Sequence, residues 1–163
     1  MNILIIENVW MGEKKYSLLE KFILTTFSIL PTLHARQISA ITPKKHNVHI
    51  VNERYETIDF NKNYDLVHIN YTTSTAKRAY QIADTFKAKK IPVVLSGLHA
   101  NAVLDEAISH ADAVLLGRGE TNWNTLLTDY EKGTLQKIYP DQPYTKNHNI
   151  PPTIVLFFSS ISF

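Results

Sequence analysis

The chain has 163 residues, 44% of them hydrophobic and 20% charged, with a net charge of +2. That length fits one domain with a full core, and the mixed charges give no basic footprint for nucleic acid. Cysteine is absent, which excludes disulfides, thiolate zinc sites, a cysteine nucleophile and a cysteine-ligated iron–sulfur cluster within this chain.

Residues 2–6 (Asn-Ile-Leu-Ile-Ile) form a continuous apolar run, expected as a central strand buried on both faces. Gly12 allows a loop after it. Leu18, Leu19, Phe22, Ile23, Phe27 and Leu30 recur at helical spacing, and Pro31 interrupts them. A second helical piece is expected over 32–41, stopped by Thr42-Pro43. Residues 48–51 (Val-His-Ile-Val) read as the second strand and 65–70 as the third. In the helix that follows, Ala76, Ala79, Tyr80, Ala83 and Phe86 share one face, and Lys77, Arg78, Gln81, Asp84 and Lys87 the other. Thr73, Ser74 or Thr75 can cap it.

The fourth strand is expected at 92–95, followed by Ser96-Gly97-Leu98-His99 and one short helix with Val103, Leu104, Ala107, Ile108 and Ala111 inward and Asn101 as its cap. The fifth strand, 113–116, meets Gly117-Arg118-Gly119-Glu120. Trp123, Leu126, Leu127 and Tyr130 then mark a last helix that stops at Gly133. Four of the seven prolines lie between 140 and 152. The expected organisation is a Rossmann-like domain over 1–139 and a linker with an apolar tail over 140–163. Residues 153–158 could add a strand. The alternation predicts an α/β fold with a doubly wound, five-stranded parallel sheet in the flavodoxin-like order 2-1-3-4-5. Ligands of such sheets bind at the carboxyl ends of the strands.

No signal peptide and no membrane-length apolar run is visible, so a cytoplasmic protein with no membrane and no nucleic-acid partner is expected. Gly117-Arg118-Gly119-Glu120 begins like a dinucleotide fingerprint, but Asn122 stands where the third glycine belongs. Its glycines suit either a tight strand-to-helix turn or close approach of a planar ligand. A phosphoacceptor site is disfavoured, because the first, third and fifth strands end in Glu7-Asn8, Asn70 and Leu116-Gly117 rather than in an acidic pair, an aspartate and a lysine. His99 is either a turn histidine with local bonds or a ligand and acid–base group. His68, inside a strand, reads as a core or subunit-facing residue. The hydroxyls of 72–75 suit capping and hydrogen bonds to amides or phosphate.

The segments Asp65-Leu66-Val67-His68-Ile69-Asn70, Thr73-Ser74-Thr75-Ala76, Val93-Val94-Leu95-Ser96-Gly97-Leu98-His99, His110-Ala111-Asp112-Ala113-Val114 and Gly117-Arg118-Gly119-Glu120 with Trp123 occur in this order. Together they resemble the N-terminal cobalamin-binding domain of cobalamin-dependent radical S-adenosylmethionine enzymes. The resemblance covers roughly residues 31–139. It implies a Rossmann-like fold that holds a corrinoid at the carboxyl edge, with the nucleotide tail in the sheet crevice. By position it assigns Tyr71, Thr72, Thr73 and Ser74 to the corrin or tail. It assigns Ser96, Gly97, Leu98 and His99, and Gly117, Arg118, Gly119 and Glu120, to the tail pocket.

The chain departs from that pattern at named places. The family commonly has two glycines where this chain has Ser96-Gly97, and Gly-Glu-Gly-Glu where it has Gly-Arg-Gly-Glu. A small residue is usual at His68 and serine at Asn70. The Asp-x-His-x-x-Gly motif whose histidine ligates cobalt is absent, as are the Cys-x-x-x-Cys-x-x-Cys cluster motif and its barrel. The resulting expectation is a cobalamin-binding module, stand-alone or truncated, with no catalysis of its own and no metal ligand. Its partners would be the corrinoid and either a second copy or a radical S-adenosylmethionine methyltransferase. The alternative is a degenerate module that acts through protein contacts or oligomerisation without cofactor.

Overall fold

The computed structural model describes residues 1–7, 33–53 and 56–143. The helix expected over 16–30, the Gly12 loop and the apolar tail lie outside them. β1 (Asn2–Glu7) is an interior strand; β2 (Asn47–Asn52) pairs with it on one side and β3 (Leu66–Asn70) on the other. β4 (Val93–Ser96), β5 (Ala113–Leu115) and β6 (Ile138–Tyr139) continue the sheet. The order is β2-β1-β3-β4-β5-β6 and every pairing is parallel.

The expected order is thus present with one addition. The sheet has six strands rather than five, because Ile138–Tyr139 pairs with β5 at its far edge. Tyr139 is buried, and its hydroxyl donates to Asp129 Oδ2 at 3.0 Å. That packing gives a two-residue strand a fixed place.

The period-2 alternation of the strands divides the core into two layers. Leu4, Ile6, Val67, Ile69, Val93 and Leu95 face α2 (Ala76–Ala88), where Ala79, Ile82, Ala83 and Phe86 complete the layer. Ile3, Ile5, Leu66, Val94, Ala113 and Leu115 face the other way, against Ala35 and Ile38 of α1 (Leu33–Ile41) and Trp123, Leu126 and Leu127 of α5 (Glu120–Glu131). Trp123 is fully buried, and its Nε1 donates to Thr42 Oγ1 at 2.8 Å, tying α5 to the end of α1.

The single helix expected after β4 is two: α3 (Leu98–Ala102) and α4 (Leu104–His110). Val103 separates them with φ −133° and ψ 68°, outside the helical region, and its side chain is exposed rather than inward. Ala107 and Ala111 are buried as expected. No helix among the described residues is long and apolar enough to cross a membrane.

Candidate functional site

Because all strands run parallel, the residues after β3, β4 and β5 come to one edge. The turn after β1 lies outside the described residues. The turn after β3 opens with Tyr71, which is buried, and closes in a 3-10 turn, Thr73–Thr75, that leads into α2. Thr72 N donates to Thr75 Oγ1 at 3.1 Å, and Thr72 Oγ1 lies 3.0 Å from Ser74 Oγ. Local capping therefore engages Thr72, Ser74 and Thr75, and the side chains of Thr72, Thr73 and Ser74 remain exposed at the edge.

The turns are bonded to one another. Thr73 Oγ1 lies 3.2 Å from His99 Nδ1, linking the β3 and β4 turns. Asn101 Nδ2 donates to Gly97 O at 2.7 Å, and Asn101 Oδ1 accepts from Gly117 N at 2.6 Å, linking the β4 and β5 turns. Asn101 was expected only as a helix cap; it is the residue that holds two turns of the edge together.

Four of the expected binding residues serve the protein's own packing. Tyr71 points inward, with its hydroxyl 3.0 Å from Tyr80 Oη and its ionisation pushed up by burial and by that bond. His99 is buried, sits edge-on to Tyr71 at 5.7 Å between ring centroids, and reaches Glu106 Oε2 at 3.4 Å through Nε2. Ser96 is buried as the last residue of β4, with Oγ 2.8 Å from His68 Nε2. Gly97 has φ +113°, and a Cβ there would overlap the Tyr71 carbonyl oxygen and come within 2.9 Å of Asn70 Oδ1. This glycine is required by the protein's own backbone. A large side chain at 97 would therefore disturb the β3 turn itself.

A similar close approach occurs at Gly117, where a Cβ would overlap the Asp141 side chain. Gly119 has φ +74° and starts α5 beneath the His34 ring. Leu98 is 77% exposed in the turn after β4, and Arg118 is exposed in the turn after β5. The edge accordingly presents hydroxyls from 72–74, the apolar side chain of Leu98 and the cation of Arg118. Glu120, half-buried, turns back toward His34 Nδ1 at 3.4 Å.

Below the edge lies a second group that sequence spacing did not connect. His68 is fully buried on the α1/α5 side of the sheet. Its ring centroid is 5.2 Å from Trp123 and 5.5 Å from His34. Burial, and then the neighbouring His34, hold its ionisation well below the usual histidine range, so it is neutral near pH 7. His68 Nδ1, His34 Nε2, Glu120 Oε2 and Thr121 Oγ1 are buried without a hydrogen-bond partner among the described residues. The register pairs Asn70 with Ser96 and His68 with Val94, so His68 and Ser96 are diagonal neighbours on one face. No group of three or more metal-ligating side chains occurs among the described residues.

The comparisons with known proteins bear on what such an edge serves. The chain is similar to part of two methyltransferases. It is 34% identical over 116 residues to bacteriochlorophyllide d C-8(2)-methyltransferase of Chlorobaculum tepidum, covering 71% of this chain and 26% of that protein. It is 31% identical over 134 residues to bacteriochlorophyllide d C-12(1)-methyltransferase of the same organism, covering 80% of this chain and 28% of that protein. The chain therefore spans about a quarter of the length of these curated relatives. No family model and no solved structure matches it.

One expectation is corrected by these relatives. A module apart from catalysis was expected, yet both matched proteins are named methyltransferases, so the similarity points to an enzyme family.

A corrinoid has a macrocycle and a nucleotide tail, and the two would meet different parts of this edge. The edge suits the ring: exposed hydroxyls and one exposed leucine match a rim of amides around a flat, largely apolar macrocycle. The layer beneath does not suit the nucleotide tail, because the buried His68 and Trp123 rings pack against each other there and His68 bonds to Ser96.

Proposed function

We propose that the chain is the corrinoid-binding segment of a methyltransferase of the relatives' kind, and that it holds the corrin ring at the carboxyl edge of the sheet. The observation that carries this reading is the convergence of the β3, β4 and β5 turns, cross-linked by Thr73–His99 and by Asn101. That edge falls within a region similar to part of two methyltransferases. The resemblance to cobalamin-binding domains over residues 31–139 supports the same ligand.

In this reading Thr72, Thr73 and Ser74 bond to rim amides, Leu98 packs on the macrocycle, and Arg118 meets anionic or carbonyl groups at the rim. When bound, the corrinoid would supply a cobalt centre for one-carbon transfer. The chain's own residues orient it and keep the edge rigid. Partners are then the remainder of such a methyltransferase or a separate protein that carries it.

The test is retention. The protein is mixed with hydroxocobalamin, desalted and scanned for corrin absorbance. Stoichiometric absorbance with the protein supports the reading. None retained at high micromolar concentration overturns it.

A second reading is favoured by one observation, the closed crevice at His68 and Ser96. A module that acts through protein contacts or oligomerisation would have no need of an open one, and Leu98 and Val103 offer exposed apolar contact at the edge. Light scattering after size exclusion separates the two, since a monomer that retains corrinoid removes this reading.

A further inference from the structure

The two departures from the cobalamin-binding pattern that matter most, His68 and Ser96, are one structural feature. Each stands where that pattern has a small residue, and each bonds to the other at 2.8 Å. The packed layer between the sheet and helices α1 and α5 holds the His68 imidazole. Trp123 packs against it at 5.2 Å and is itself fixed by its bond to Thr42. His34 closes the group from above, 5.5 Å from His68, lying over Gly119 and bonded to Glu120. Moving any one of these rings breaks a bond or opens a void in a packed layer.

Polarity adds to sterics. His68 Nδ1, His34 Nε2 and Glu120 Oε2 are buried and have no hydrogen-bond partner among the described residues. A benzimidazole wedged among them would offer at most one acceptor nitrogen and no donor, and would keep water away from the groups left over. Burying such groups beside an apolar surface is unfavourable. By contrast, the exposed residues of the edge, Thr72, Ser74, Leu98 and Arg118, lie outside this plug.

We propose that the His68–Ser96 plug keeps the nucleotide tail of a corrinoid out of the sheet, so that this chain binds the cofactor by its corrin ring alone and does not distinguish complete cobalamin from a corrinoid lacking the nucleotide. This rests on the corrinoid reading above. It makes the edge tolerant of incomplete or differently tailed corrinoids, because the discriminating contact is absent.

The experiment titrates the full chain with hydroxocobalamin and, separately, with aquacobinamide, which has the corrin ring but no nucleotide. Corrin absorbance reports both. The expected dissociation constants agree within about threefold, a small difference on the affinity scale. Cobalamin binding tighter by about tenfold or more would overturn the inference while leaving the corrinoid reading intact. Binding of neither overturns both. In a folded His68→Ala/Ser96→Gly double variant the slot is opened, and cobalamin is expected to gain over cobinamide. An unchanged ratio in that variant contradicts the plug. If the variant does not fold, the wild-type ratio still decides.

Discussion

His68 Nε2 lies 2.8 Å from Ser96 Oγ, across the β3–β4 pair and wholly inside the protein. Among the described residues it is the one hydrogen bond of the imidazole ring, since Nδ1 has no partner there. Ser96→Ala would leave both ring nitrogens buried and unpaired. The expected loss is about 1–3 kcal/mol, the cost of an unsatisfied buried group. A urea melt reads it, and an unchanged midpoint would count against the bond.

The same residue sets an acid limit. His68 has its ionisation lowered from 6.5 in the folded state, chiefly by burial and then by His34. The unfolded chain therefore takes up a proton as pH falls through about 6.5, while the folded chain does not. Stability is full above that pH and falls below it, with a slope of up to about 1.4 kcal/mol per pH unit from this residue. His46 is also lowered, by burial and by the N-terminal ammonium, and adds in the same direction. His68→Leu is expected to make the acid limb shallower without abolishing it. Equal slopes in variant and wild type would show that His68 is not the source.

Gly97 and Gly133 make a matched pair for backbone strain. Both have positive φ, +113° and +72°, but a Cβ at 133 meets nothing within 4 Å, whereas one at 97 strikes the Tyr71 carbonyl. Gly133→Ala should cost about 1 kcal/mol, the strain of a left-handed residue alone. Gly97→Ala should cost about 2 kcal/mol or more, since the β3 and β4 turns must also move apart. Thermal melts of the two variants test the order; the reverse order would contradict the close approach.

Asn101 joins the β4 and β5 turns through Gly97 O and Gly117 N. Asn101→Ala removes both bonds at an exposed site, for an expected loss of about 1–2 kcal/mol. A more specific readout is amide exchange. The Gly117 N–H should lose protection in the variant while the amides of β1 keep theirs. Unaltered protection at Gly117 would mean that the turn is held by something else.

The layers of the fold were legible because β1 and β4 carry continuous apolar runs, because β3 is interrupted only at His68 before it ends at Asn70, and because Ala76, Ala79, Ala83 and Phe86 recur at helical spacing. β6 was not, since two residues carry no period. The break at Val103 was hidden because 103, 104, 107 and 108 continue a helical pattern that the backbone does not follow. The turns at the edge could be read from their glycines and hydroxyls, but not their bonding. The His68–Ser96 pair depends on strand register, and the reach of Asn101 to Gly117 depends on two turns meeting in space. Glycine at 97 pointed to a close approach. Whether a ligand or the chain's own carbonyl made that approach was beyond local sequence.

The central claim is that the cross-linked edge holds a corrin ring. Its most direct test is an equilibrium titration of hydroxocobalamin into the wild type and into Leu98→Asp. Leu98 is 77% exposed at the start of α3, so the substitution spares the core and places a charge where the macrocycle would lie. Saturable one-to-one binding by the wild type, weakened by about tenfold or more in the variant at an unchanged melting temperature, is the predicted result. Absence of saturable binding, or equal affinity in both proteins, would contradict the account.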